Sequence, residues 1–216
     1  MPSVVIVGAS RGIGREFVRQ YAAAGWKVFA TVRGDEAVAA AALLRADVTD
    51  EASLIAAAAA VPDDIDLLIL NAGVNVHDNT LATIDAAHWA EVMAVNTLGP
   101  LLAARAFGGK LRAGGTIAAL SSTLGSIGAN SGGGLYSYRM SKAGLNAGLK
   151  TLAIELKPRR IGVVALHPGW VKTDMGGVGA EVEITDSVTG LRRVIAGLTP
   201  EATGSFLDYR GNALPW

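Results

Sequence analysis

The chain of 216 residues has no cysteine, which excludes disulfides and thiolate metal sites. Histidine is scarce too. His77, His88 and His167 form no paired ligand motif, so no resident metal is expected. Neither charge sign is in surplus. Nineteen basic and 19 acidic side chains give a formal net charge of zero, which leaves no electrostatic footprint for nucleic acid or an anionic membrane. No apolar run of about 18 residues is free of charge or glycine, so no membrane span is expected. The N-terminus lacks the basic start and small-residue cleavage site of a secretory signal. A cytoplasmic location is the resulting expectation.

What the sequence does have is apolar character, at 50% of residues, and a chain of this size buries most of its surface on folding. Short β-branched runs at residues 4–7, 28–32, 43–48, 67–71, 116–121, 162–167 and 205–208 read as seven strands. Helix-like segments lie between them. Ile13, Phe17 and Tyr21 recur at steps of four and share one helix face. Residues 51–60 follow Thr49-Asp50, a capping pair. Residues 85–107, 138–156 and 186–196 complete the set. Continuous apolar strands alternating with helices predict a Rossmann-type, doubly wound α/β fold. Its sheet is expected to be seven-stranded and mostly parallel, with helices on both faces. No linker, charge block or repeat divides residues 1–216, so one domain is expected. The alanine runs at 39–42 and 56–60 read as ordinary helix.

Three features carry chemistry. The first strand runs into Gly8-Ala9-Ser10-Arg11-Gly12-Ile13-Gly14, a G-x3-G-x-G loop. Glycines there allow close backbone approach, and the following helix offers free N–H groups to a pyrophosphate. The second strand ends at Arg33, where a site that prefers NAD would carry an acid. Arg33 and Arg11 suit a ribose 2′-phosphate instead, which favours NADP. Asp35, just beyond, keeps NAD open. The third feature is Tyr138 with Lys142, four residues apart on one helix face. A lysine ammonium beside a phenol is expected to lower its pKa and suit it to proton transfer. Tyr136 lacks such a partner, since position 140 is Met140. Upstream, Ser121-Ser122 closes a strand, where a hydroxyl can donate to a carbonyl oxygen. If Asn96 and Pro100 share a helix, Pro100 has no N–H for the Asn96 carbonyl, and a kink is expected.

In this order, Gly8–Gly14, Asp47-Val48, Asn71-Ala72-Gly73, Asn96, Ser122, Tyr138/Lys142 and Pro168-Gly169-Trp170-Val171-Lys172-Thr173 resemble the short-chain dehydrogenase/reductase superfamily over nearly the whole chain. Residues 96–100, 138–142, 167–177 and 208–211, with Pro215-Trp216, resemble its C-factor-like carbonyl reductase branch. The resemblance implies an NADPH-dependent reduction of an aldehyde or ketone. Tyr138 would be the general acid and Ser122 the carbonyl polariser. Lys142 would hold the nicotinamide ribose and tune Tyr138, while Asn96 supports a relay water. Asp47 and Val48 would border adenine, and Asn71, Ala72 and Gly73 the adenosine ribose. Pro168, Gly169, Val171 and Thr173 would lie on the nicotinamide side. Relatives commonly pair through two helices, here 85–107 and 138–156, so a homodimer or homotetramer is expected. Two rivals are a binder of NADP(H) that signals with little turnover, and a reductase of 3-oxoacyl thioesters docking through Arg105, Arg112 and Arg139. The gap of 16 residues from Ser122 to Tyr138 is longer than the family's usual spacing, with the extra length in residues 125–134. Ser121 and Ser126 are therefore competitors of Ser122. His167 is expected to be structural, and Trp170 either a core aromatic or a wall of the nicotinamide pocket.

Overall fold

The computed structural model describes residues 1–34, 36, 38 and 42–216. Asp35 and most of the first alanine run, residues 39–41, lie outside the described residues. Seven strands form one sheet: β1 (Ser3–Val7), β2 (Lys27–Val32), β3 (Ala42–Arg45), β4 (Ile65–Leu70), β5 (Leu111–Leu120), β6 (Gly162–His167) and β7 (Ser205–Asp208). Their order is β3-β2-β1-β4-β5-β6-β7, and every neighbouring pair is parallel. The expected doubly wound sheet is present, and it is parallel throughout. Helices α1 (Gly12–Ala23), α2 (Glu51–Ala59), α3 (Ala86–Met93), α4 (Gly99–Gly108), α5 (Tyr136–Leu156) and α6 (Ile184–Ala196) supply the crossovers.

Alternation along each strand sorts two cores. Val4 and Ile6 of β1 face Phe17, Val18 and Tyr21 of α1 together with Val188 and Leu191 of α6. Val5 and Val7 face the other way, into a core with Leu54 of α2, Phe107 of α4 and Leu145 and Leu149 of α5. Burial on both faces explains why the strands are apolar at successive positions rather than alternating. Asp50 caps α2 as expected, its carboxylate accepting from the Ala52 and Ser53 N–H groups. Among the described residues no helix is long and apolar enough to cross a membrane.

Several boundaries differ from expectation. β3 ends at Arg45, not 48, because Asp47 turns its carboxylate onto the Thr49 N–H at 2.8 Å and closes a local turn. β5 begins at Leu111, five residues early, and its register with β4 shifts between Ile65 and Leu67. The helix expected over 85–107 is broken. Between α3 and α4, residues Ala94–Leu98 form one wide turn in which the Gly99 N–H bonds Ala94 O, five residues back. Pro100, in the first turn of α4, cannot donate to the Asn96 carbonyl, so the tighter ladder is interrupted there.

The two apolar sides of α5 are also resolved. Leu145 and Leu149 face the sheet, whereas Gly144 and Gly148 admit Thr97 and Leu101 of the neighbouring α3–α4 segment, where an added Cβ would come within 3.1 Å. Leu98 and Ile154 stay outside, at 53% and 68% exposed.

Candidate active site

The strand order reverses beside β1, so the crevice opens at the C-terminal ends of β1 and β4. The glycine loop is built into that crevice. Gly8 has φ +88, and a Cβ on it would sit 2.8 Å from Ala72 Cα and N. A Cβ on Gly14 would lie 2.1 Å from Gly8 O and 2.6 Å from Asn71 Nδ2. Neither position tolerates a side chain without moving backbone. Asn71 Nδ2 donates to Gly8 O at 2.6 Å, and the Gly8 N–H donates to Thr31 Oγ1 at 3.0 Å. Arg11 precedes α1 in an extended conformation, and no side chain caps that helix. Its first N–H groups and positive dipole end therefore face the loop, as an anion such as a pyrophosphate requires.

A cleft of about 500 Å³ runs from this loop to α5. Gly8, Ser10, Arg11, Gly12 and Ile13 line one wall. Arg33, Asp47, Val48, Asn71, Ala72 and Gly73 come from the ends of β2, β3 and β4. Tyr138 and Lys142 close the far end, with Pro168 and Thr173 from beyond β6. This size and donor set fit a dinucleotide: a bare helix terminus, cations near the β2 end, and apolar or backbone surface elsewhere. The two arginines diverge. Arg33 is exposed beside Asp47, and its charge helps to hold that carboxyl low, after the larger effect of the Thr49 hydrogen bond. Arg11 instead reaches Asp174 at 3.3 Å, an exposed ion pair that ties the glycine loop to the segment after β6.

The proton-handling groups meet at the end of β5. The Ser122 hydroxyl accepts from the Leu124 N–H at 3.1 Å and lies beside Tyr138, where it favours the phenolate. Ser121 turns inward instead and donates to Asn146 Oδ1 at 2.6 Å, and Ser126 lies at the chain's C-terminal residue, accepting from Ala129 N. Of the three serines, Ser122 is the one beside the Tyr138 side chain, whereas Ser121 is the one that lines the cleft. Lys142 Nζ donates to Leu120 O at 2.8 Å and stands 5.8 Å from the Tyr138 ring centroid. Gly125 lets the Thr123–Gly125 turn rest on the Lys142 backbone, where a Cβ would come within 2.8 Å. Asn96 is fully buried and clamps Val74 by both main-chain groups, its Oδ1 accepting and its Nδ2 donating at 2.8 Å.

One electrostatic expectation is corrected. Tyr138 is not lowered by its lysine here. Burial of the phenol outweighs the Ser122 hydrogen bond and pushes its pKa up to about 12. Burial also brings the Lys142 ammonium down to about 8. The Tyr138 phenol is therefore protonated at neutral pH. His167 is structural as expected. Its Nδ1 accepts from the Thr123 N–H at 3.3 Å.

Four other sites fall elsewhere than expected. Gly14 lies behind the cleft, in helix–strand packing. Val171 is 4% exposed and pairs with Val182 instead of lining the cleft. Gly169, at φ +87, packs against Val182 and Tyr209. Trp170 is neither core nor pocket wall. It is 54% exposed, donates Nε1 to Gly176 O at 2.8 Å, and covers Gly179, where a Cβ would be 2.6 Å from the ring. Thr31, Val74, Asp174 and Met175 line the cleft unannounced. Asp174 and Met175 fall within the 167–177 stretch that carries the resemblance, where no role was given to them. Nothing local marks Thr31.

The family model for short chain dehydrogenase matches residues 2–181. C-signal of Myxococcus xanthus is 46% identical over 154 residues, 70% of this chain and 93% of that protein. The 1-hydroxy-2-glutathionyl-2-methyl-3-butene dehydrogenase of Rhodococcus sp. (strain AD45) is 34% identical over 227 residues and covers both chains fully. The crystal structure of NADPH-bound carbonyl reductase from chicken fatty liver superposes with a TM-score of 0.93 at 35% identity, over 100% of this chain and 99% of that one.

Proposed function

The chain belongs to the short-chain dehydrogenase/reductase family, as an NAD(P)-dependent oxidoreductase, and from that premise we propose that it reduces an aldehyde or ketone to an alcohol with NADPH. The observation that carries the reading is that Tyr138 and Lys142 line one end of the cleft whose other end is the glycine loop, with Ser122 beside Tyr138. Gly8 to Ile13 would hold the pyrophosphate, Arg33 the 2′-phosphate, and Tyr138 and Lys142 the nicotinamide ribose. Bound there, the reduced nicotinamide supplies the hydride. Ser122 Oγ donates a hydrogen bond to the carbonyl oxygen and draws its electrons away from carbon. Tyr138 Oη, still protonated in the resting site, gives its proton to that oxygen as negative charge develops on it. Lys142 carries most of its charge at neutral pH, and its ammonium steadies the phenolate that Tyr138 becomes. Asn96 holds Val74, and with it the wall beside Gly73, against Lys142. The chicken enzyme's bound NADPH and the paired expectation at Arg33 together support the choice of cofactor.

Similarity to C-signal favours a second reading, an NADP(H)-binding signalling protein with little turnover. A pure binder has no need of a serine beside a tyrosine–lysine pair at the end of the cleft. The thioester reading needs free cations, yet Arg105 pairs with Glu51 and Arg112 with Asp66, and Arg139 donates to the Gly133 and Gly134 carbonyls.

The test is single-turnover oxidation of bound NADPH by a reactive carbonyl. Tyr138→Phe should lower the rate by about a hundred-fold to ten-thousand-fold while NADPH binding stays near wild type. Tyr136→Phe should cost far less. Equal rates in wild type and Tyr138→Phe would favour the signalling reading.

A further inference from the structure

We infer that Asp78, in the loop after β4, is a positioning residue that fixes the first turn of α5 and thereby the place of Tyr138; the inference rests on Tyr138 being the proton donor. The chain enters α5 through three successive left-handed residues, Gly133 at φ 62, Gly134 at φ 68 and Leu135 at φ 50. Leu135 has no side-chain acceptor, so nothing local caps the helix. The first two N–H groups go to Asp78 instead, from a position far off in the chain. Tyr136 N donates to Asp78 O at 3.2 Å, and Ser137 N donates to Asp78 Oδ2 at 2.8 Å. The Ser137 hydroxyl donates to the same oxygen. Tyr138 is the next residue along.

Two further observations show that this is more than a helix end being tidied. Asp78 is only 4% exposed, and its Oδ1 has no hydrogen-bond partner among the described residues. A half-satisfied buried carboxylate is a costly cap, whereas a serine or asparagine at position 135 would do the same task cheaply. What a local cap cannot do is join two walls of the cleft. The loop of Asp78 starts at Asn71, which holds Gly8 O, and passes Val74, which Asn96 clamps. Asn79 then contacts Gly134, since a Cβ on that glycine would lie 3.6 Å from Asn79 Oδ1. Asp78 therefore couples the cofactor-side loop to the helix that carries the phenol, across the long glycine-rich entry to α5.

The experiment measures single-turnover NADPH oxidation by a reactive carbonyl, NADPH affinity by fluorescence, and thermal unfolding in wild type, Tyr138→Phe, Asp78→Ala, Asp78→Glu and Asp78→Asn. Asp78→Ala removes the acceptor. Asp78→Glu keeps the charge but displaces it by a methylene, which tests the idea should the alanine variant fail to fold. Asp78→Ala and Asp78→Glu, where folded, should each lose about tenfold to a hundred-fold in rate, as an ångström-scale misplacement does, with NADPH affinity within about threefold of wild type. Asp78→Asn keeps an oxygen for the Ser137 N–H and should recover most of the rate. A merely structural role would lower rate and NADPH binding together, in step with the folded fraction, and that result overturns the inference. Wild-type rates in both Asp78→Glu and Asp78→Ala overturn it too. If those variants match wild type while Tyr138→Phe is slow, only the role of Asp78 falls. If Tyr138→Phe is as fast as wild type, the proposed chemistry itself falls.

Discussion

Acidification should loosen the floor of the site through His167. Burial lowers its pKa from 6.5 to about 4, and nearby Asp208 pulls the other way without prevailing. The cause is visible in its contacts. Nδ1 is an acceptor for the Thr123 N–H, and a protonated ring would turn a second N–H against that donor. The sign follows directly. Between pH 6.5 and about 4 the unfolded chain binds a proton that the folded chain refuses, so stability is full above 6.5 and falls as pH falls through that window. At about 1.4 kcal/mol per unit the drop amounts to about 3 kcal/mol at the acid limit and about 2 kcal/mol by pH 5. Urea unfolding followed by circular dichroism at pH 7.5 and pH 5 measures it, with His167→Asn as the reference. An asparagine amide oxygen can still accept from Thr123 and has no proton to gain. Most carboxylate contributions are shared by both proteins and cancel, so wild type should lose about 2 kcal/mol more than the variant. Parallel losses, within about 0.5 kcal/mol, would show that His167 is not held neutral by burial. Because Thr123 follows Ser122, the wild-type rate should acquire an acid limb in the same window that the variant lacks.

Arg33→Ala should weaken NADP by about 1.5–3 kcal/mol, tenfold or more, and leave NAD nearly unchanged, as a lost hydrogen bond to a charged group would. Arg11→Ala should cost less, because its guanidinium is already engaged by Asp174. Isothermal titration with both cofactors reads this, and equal losses for NADP and NAD would remove the arginines from the 2′-phosphate. The expected homodimer would cover the exposed Leu98, in the turn before α4, and Ile154 of α5. Light scattering at micromolar concentration should give at least twice the 22.1 kDa chain mass, and Ile154→Asp should lower it to the monomer. A monomer mass for the wild type refutes the pairing.

Strands and site were legible in the sequence to different depths, for physical reasons. β6 and β7 have the expected bounds because each is a short apolar run between clear breaks. The glycine loop was legible because a steric demand that only glycine meets is written in residue type; Gly14, with a carbonyl 2.1 Å from any Cβ, is the extreme case. Tyr138 and Lys142 were legible because helical spacing converts directly into a shared face. The choice among Ser121, Ser122 and Ser126 was not, since it depends on which hydroxyl Asn146 captures from α5. The pKa of Tyr138 was misjudged because spacing reveals a neighbour but not the depth of burial, and here burial is the larger effect. Asp78 lay furthest from reach. Its partner is 59 residues on, and the only local sign is a negative one, a long helix entered through Gly133, Gly134 and Leu135 with nothing to cap it. An uncapped start to the helix that bears the reacting group is thus a legible absence. The four N–H groups of that turn must bond something, and a buried acid elsewhere in the chain is the first place to look.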